Sequence, residues 1–357
     1  MRRLSDRLRC LVPPRLARHL PDRRRCKHIR ARISQRRWQA LAPLVGQRDP
    51  FECGTLWLAV EQILDSGDMD ALVQLRPMAA RASAFEQAVF AALCKLPGDA
   101  EAAIAALSDI GEGSDFGPFE RMGARAWSLY LSLPRQALDR PASKQPRVVQ
   151  FWDRPEPPPE VAAQMARWSA LCGPGYRRFD DDSAAALLRS AFGPEAETRF
   201  RAAPHPAIRS DYFRLGYLAA EGGVYIDADS APCDGAEATL AALGGGTTLV
   251  FEPWRGGKQV LNGVIAAKAG HPLLLECFHE AGRRLDQDGR PVQALAGGHM
   301  MTDTVLWMAR EGKLGPVQVL SSAITGQRLL RSIQAGYKSG TQNWRLWDAE
   351  RQAGQTP

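Results

Sequence analysis

Carboxylates two residues apart can share one cation, and the chain carries that spacing four times, at Asp68-Met69-Asp70, Asp180-Asp181-Asp182, Asp227-Ala228-Asp229 and Asp286-Gln287-Asp288. Spacing alone therefore selects nothing. The first two open helical stretches, where acidic side chains complement the N-terminal dipole, and the last ends a charged helix. Asp227-Ala228-Asp229 differs, because it follows Gly222-Gly223 and the apolar run Val224-Tyr225-Ile226, which reads as a helix stop and then a buried strand. Side chains two apart on an extended chain face the same side, so Asp227 and Asp229 are expected to converge on one cation. Their hard oxygens suit Mn²⁺ or Mg²⁺, with a diphosphate completing the coordination.

A second pair lies just upstream. Ile208, Tyr212, Leu215 and Ala219 form the apolar stripe of a helix over 208–221, and Asp211 and Arg214 sit three apart beside it. Arg214 is suited to neutralising a phosphate and Asp211 to accepting from hydroxyls. Such a pair on an arbitrary helix would be a surface ion pair of small consequence. Here the acidic pair that follows gives it a role, and the expected essential group is Asp211, Arg214, Asp227 and Asp229.

These residues need elements that hold them. From residue 146 onward short strands alternate with helices: a strand at 147–151, helices near 160–171, 183–192 and 208–221, and strands at 224–226 and 248–251. That alternation predicts an α/β layered domain over 146–350, with its ligand beyond the carboxyl ends of the strands. Residues 51–138 carry helical periodicity broken at Ser66-Gly67-Asp68 and Leu96-Pro97-Gly98-Asp99, as in a small all-α domain of helical hairpins, suited to packing support or partner binding. Residues 1–48 hold 15 Lys and Arg against two Asp, a net +13, which leaves −6 for the rest of the chain. This basic arm reads either as amphipathic helices resting on an anionic leaflet or as a solvated tail. It has a single aromatic, Trp38, so no stacking platform for nucleic acid.

Seven cysteines, odd in number and without a Cys-x-x-Cys, argue against both a disulfide framework and a thiolate zinc site. No apolar run approaches the ~18 residues of a membrane span. The expected location is cytoplasmic, peripheral to the inner face of the membrane.

The stretch Arg209-Ser210-Asp211-Tyr212-Phe213-Arg214, followed by Gly222-Gly223-Val224-Tyr225-Ile226-Asp227-Ala228-Asp229, closely resembles the DXD sugar-binding region of the family-32-type glycosyltransferases. The resemblance extends over about 146–344. It implies a GT-A (Rossmann-like) domain that uses a nucleotide-diphospho-sugar donor, a divalent cation held by Asp227 and Asp229, and a glycan or glycolipid acceptor, mostly with retention of configuration and in polysaccharide biosynthesis. It also implies that Trp152, ending the first strand, stacks on the nucleotide base, although a core Trp is the competing reading. Asn262 matches a residue near the donor sugar, or is simply a turn former. Gly297-Gly298-His299 matches a glycine-rich segment on the acceptor side. The family commonly ends in a His and a Ser-Trp element; the matching stretch here, Tyr337 to Trp344, lacks the His. Lys338 and Trp344 are the residues expected to complete phosphate binding there. The competing functional reading is a degenerate transferase that binds a nucleotide-sugar or a partner without turnover.

Overall fold

The structure is a computed structural model that describes residues 55–80, 82–139, 146–287, 291–333, 335–339 and 343–354. The basic arm, and with it the expected membrane contact, lies outside the described residues. So does Asp288. The chain divides into two compact units, one running to Ser128 and including Pro253–Lys258, the other holding Leu129–Glu252 and Gln259 onward.

In the first unit the helices are α1 (Thr55–Ser66), α2 (Ala71–Gln74), α3 (Arg76–Ala79), α4 (Ala84–Leu93), α5 (Ala100–Glu112) and most of α6 (Pro118–Ser132). Local chemistry sets their starts. Ser83 and Glu86 form a reciprocal capping box at α4, and Asp99 accepts from the Ala102 N–H at α5. Asp70 precedes α2 without a side-chain cap bond. Pro253–Lys258 is the tip of a hairpin. There Lys258 pairs with Glu61, both side chains fully buried, and lies 4.4 Å from the centroid of the Trp127 ring. Gly257 runs against Gly123, where a Cβ would come within 2.5 Å of the Gly123 Cα. Only glycine permits that approach.

The second unit is built on a six-stranded sheet of β1 (Val148–Phe151), β2 (Tyr176–Phe179), β3 (Gly223–Ile226), β5 (Thr247–Trp254), β6 (Gly257–Ala267) and β7 (Val317–Ser321), in the order β2-β1-β3-β6-β5-β7. β1 is parallel to both β2 and β3, and β5 to β7, while β3 runs antiparallel to β6. The sheet is therefore mixed but mostly parallel, as the α/β expectation required. A separate ribbon pairs β4 (Ser230–Pro232) with β8 (Leu330–Ser332). The helices of this unit are α7 (Pro159–Cys172), α8 (Asp181–Phe192), α9 (Pro194–Ala202), α10 (Pro206–Glu221), α11 (Ala236–Leu243), α12 (Pro272–Leu285), α13 (Val292–Leu295), α14 (Gly298–Arg310), α15 (Ser322–Arg328) and α16 (Trp344–Gly354). Asp180 caps α8 through the Ser183 N–H, and Asp286 ends α12 and binds Arg199.

Two features position the chemistry. The chain leaves β1 for β2 on one side and returns to β3 on the other, so the carboxyl ends of β1 and β3 flank a topological switch point. And α10 is buried over all of Asp211–Ala219, because it packs against α12 and α8 as well as the sheet. That is more burial than one apolar stripe implies, and it takes Asp211 and Arg214 out of water. α10 turns into β3 through Gly222 (φ +65°) and Gly223 (φ +110°); a Cβ on Gly223 would sit 2.6 Å from the Arg147 carbonyl oxygen. A side chain is excluded there twice, by dihedral and by space. Among the described residues no helix is long and apolar enough to cross a membrane.

Candidate active site

Arg214 is the hub. It is a long side chain rooted in a buried helix, so its guanidinium must find partners at the carboxyl edge of β3 or remain an uncompensated charge. It finds several. Its terminal nitrogens bond Asp211 at 2.9 Å, Asp227 at 3.1 Å and Ser210 Oγ at 2.9 Å, its Nε bonds the Ser210 carbonyl at 3.2 Å, and a further N–H reaches the Asn262 carbonyl. The Tyr225 ring lies beneath it, 4.3 Å from centroid to guanidinium carbon, and the Tyr225 hydroxyl is 2.7 Å from Ser210 Oγ. Burial by itself would depress the Arg214 pKa; Tyr225, Asp227, Asp211 and Asp229 outweigh it and hold the group above the ordinary arginine value.

Asp211 accepts from the Asn262 side-chain amide at 2.9 Å. Burial pushes its pKa up to about 6, with Arg214 opposing the rise and Asp227 adding to it. The rise prevails over the ion pair because the guanidinium is shared with a second carboxylate. Asn262 lies inside β6 and not in a turn, so the turn-forming alternative is excluded.

The acidic pair departs from the expected extended geometry. β3 ends at Ile226, and the Ser230 N–H closes back onto the Asp227 carbonyl at 3.1 Å, so Asp227 to Ser230 is a turn. The cause is visible in the pairing: the Asp227 N–H is still in register with β6, at 3.0 Å from the Gly263 carbonyl, but the chain must then swing away to become β4. Ala228, the small residue between the acids, fills the core beside Val161, Met165 and Ala335, while both acids remain partly exposed. Gly263 leaves room for the first of them, since a Cβ there would come within 2.7 Å of Asp227 Oδ2. Gln150, fully buried in β1, donates to the Asp227 carbonyl at 3.2 Å and accepts from the Tyr176 hydroxyl at 2.9 Å.

Asp229 belongs to a second group of contacts. Its carbonyl accepts from the Ile333 N–H at 2.8 Å and its Oδ2 from the Tyr337 hydroxyl at 2.7 Å. Tyr337 meets Trp152 edge-on, with ring centroids 5.1 Å apart. Trp152 sits just past the end of β1, half-buried, and its indole N–H is covered without finding an acceptor among the described residues. Lys338 follows Tyr337 in a short 3₁₀ helix, Gly336–Ser339.

Thus Asp211, Arg214, Asp227 and Asn262 form one bonded network, and Asp229, Tyr337 and Trp152 a second beside it. Trp344 belongs to neither: it packs with Trp347 on Ala203, Ile208, Val292 and Leu295. His299 opens α14, and the preceding Gly297 brings its backbone to Asp211, where an added Cβ would lie 3.3 Å from Oδ2. A cleft of about 300 Å³ lined by Phe192, Arg199, Tyr212 and Phe278 is built from other residues altogether. Sequence reasoning did not assign roles to Gln150, Gly263 or Tyr337. Ser210 and Tyr225 stood in the motif string, which was the signal for them; Tyr337 opened the C-terminal stretch that matches the family's closing element, where the expected roles fell on Lys338 and Trp344.

Among the described residues no group of three or more His, Cys, Asp or Glu side chains gathers as a metal cage. Two partly exposed carboxylates, Asp227 and Asp229, offer hard oxygens of the kind that suit a cation drawing its remaining ligands from a phosphorylated substrate.

A mostly parallel α/β sheet with acidic and cationic groups at its switch point defines an α/β domain class whose ligand crevice lies at the carboxyl ends of its strands. Residues 173–241, which include Asp211, Arg214, Asp227 and Asp229, match the family described as glycosyltransferase sugar-binding region containing DXD motif. It is also 26% identical over 173 residues to the initiation-specific alpha-1,6-mannosyltransferase of Schizosaccharomyces pombe, a match spanning 40% of this chain and 43% of the relative, less than half its length. Among solved structures, the PaToxG glycosyltransferase shows a loose likeness, with TM-score 0.38 and 13% identity over 69% of this chain and 95% of that one.

Proposed function

We propose that this chain is a glycosyltransferase that moves a sugar from a nucleotide-diphospho-sugar to a glycan or glycolipid acceptor, with retention, in a GT-A-type domain over residues 146–350. The observation that carries the reading is the buried Arg214 guanidinium joined to Asp211 and Asp227 at a strand edge, inside a matched sugar-binding region. In this reading Arg214 keeps the Asp227 carboxylate aimed, Asn262 and Asp211 hold each other at the sugar side, and the Trp152 indole meets the nucleotide base. Asp227 and Asp229 would hold Mn²⁺ or Mg²⁺. The cation supplies charge neutralisation as the nucleoside diphosphate departs. No described side chain stands out as an enzymic nucleophile, so the acceptor attacks from the leaving-group face and the departing phosphate takes its proton. Residues 51–138 are proposed as a packing or partner-binding domain. The arm 1–48 is proposed to contact an anionic membrane surface.

The test is hydrolysis of a panel of UDP- and GDP-sugars, with a mannosyl donor included on the strength of the relative's name, with and without Mn²⁺. Cation-dependent release of nucleoside diphosphate from one donor, lost in Asp229→Ala, is expected. Donor binding without turnover would favour a degenerate nucleotide-sugar-binding module. A chain that no donor stabilises against heat is not a transferase of this kind.

A further inference from the structure

The C-terminal segment grips the acidic turn at several points. β8 pairs with β4, which begins at the residue after Asp229, so the turn and the segment are registered against each other through Ser230 and Ser332. The Ile333 N–H continues that pairing onto the Asp229 carbonyl. Four residues later the Tyr337 hydroxyl donates to the Asp229 carboxylate, and the Gly336 N–H donates to Glu160 Oε1 at 2.9 Å, which ties the short 3₁₀ helix to the start of α7. The Tyr337 ring also packs nearly perpendicular to the Trp152 ring. One phenol thus touches both a carboxylate proposed to hold the cation and the indole proposed to meet the base.

We propose that Tyr337 is a positioning residue that fixes the rotation of the Asp229 carboxylate through its hydroxyl and braces Trp152 through its ring. A carboxylate at the end of a turn can rotate about its last torsion, and ordering it on binding costs affinity; a phenol already donating to one oxygen removes that freedom in advance. The sequence comparison made Lys338 the replacement for the missing histidine of this segment. Tyr337, the residue before it, donates to the Asp229 carboxylate. This inference rests on the transferase reading, since it presumes that the cation and the nucleotide bind here.

Two substitutions separate the two contacts. Tyr337→Phe keeps the ring against Trp152 and removes the hydroxyl; Tyr337→Ala removes both. Calorimetric titration of the full chain with UDP and GDP, each with Mn²⁺ and with EDTA, reads the effect. Tyr337→Phe is expected to lose roughly tenfold in affinity with Mn²⁺, the scale of a hydrogen bond to a charged group, and to match wild type in EDTA. Tyr337→Ala is expected to lose affinity in both conditions. A purely structural role would lower both affinities in Tyr337→Phe, or lower its melting point, and would overturn the proposal. So would Mn²⁺-supported binding by Tyr337→Phe equal to wild type, which leaves the transferase reading intact. If wild type binds neither nucleotide, that reading fails and this inference with it.

Discussion

Arg214 and Asp227, thirteen positions apart on a helix and in the turn that closes the strand after it, meet at 3.1 Å with the guanidinium side chain only 5% exposed and the carboxylate 40% exposed. One end of the pair is sealed in the protein and the other opens to solvent. A charge so placed is held rigidly where a ligand can reach its partner, which is what preorganisation requires.

Arg214→Ala should destabilise the second unit by about 3–5 kcal/mol, since it strands the buried Asp211 carboxylate without its cation. Arg214→Lys should recover only part of this, because one ammonium cannot reproduce the fork to Ser210, Asn262, Asp211 and Asp227. Denaturant melts of the two variants give the ranking directly. Equal stability of Arg214→Ala and wild type would show that the hub is not structural.

Stability should depend on Asp211 in the window between the ordinary aspartate range and about pH 6. There the folded protein keeps a proton that the unfolded chain has released. The contribution is fully present at lower pH and is lost as pH rises through about 6, amounting to up to about 3 kcal/mol. Urea melts across this window should show that slope in wild type and lack it in Asp211→Asn. The comparison is of slopes, because the variant also changes the ion pair with Arg214.

Gly263→Ala should weaken cation and nucleotide binding with little change in fold stability. The added methyl lands on the far end of the Asp227 side chain, which can swing aside, and so displaces the carboxylate without breaking the strand. Thermal shift with Mn²⁺ and UDP or GDP, against the melting point without ligand, separates the two effects. A lowered ligand-free melting point with an unchanged ligand shift would contradict this.

The Lys258–Glu61 pair in the first unit makes a separate prediction. Lys258→Ala leaves the fully buried Glu61 with its principal cation gone and should cost about 3–5 kcal/mol, whereas Lys258→Met with Glu61→Leu replaces the pair by apolar volume and should recover most of it. Thermal melts of the single and double variants decide the matter. A double variant no better than the single would mean that the pair contributes net stability of its own.

The sequence by itself determined the local parts of this protein. The i,i+3 placement of Asp211 and Arg214, the Gly222-Gly223 break and the strand that delivers Asp227 all depend on neighbours within a turn or two, and each keeps a local signature. The break at Asp99 and the helix start at Asp180 are legible for the same reason. Tertiary structure decided the rest. The swing of the chain into β4 turned an expected extended pair into a turn, because pairing with β8 is set a hundred residues away. The same register put Tyr337 onto Asp229 across 108 positions and sent Trp344 to the cluster around Ile208 instead. Strands β2 and β7 and the ribbon likewise depend on partners elsewhere in the chain, which supply the other half of their hydrogen bonds.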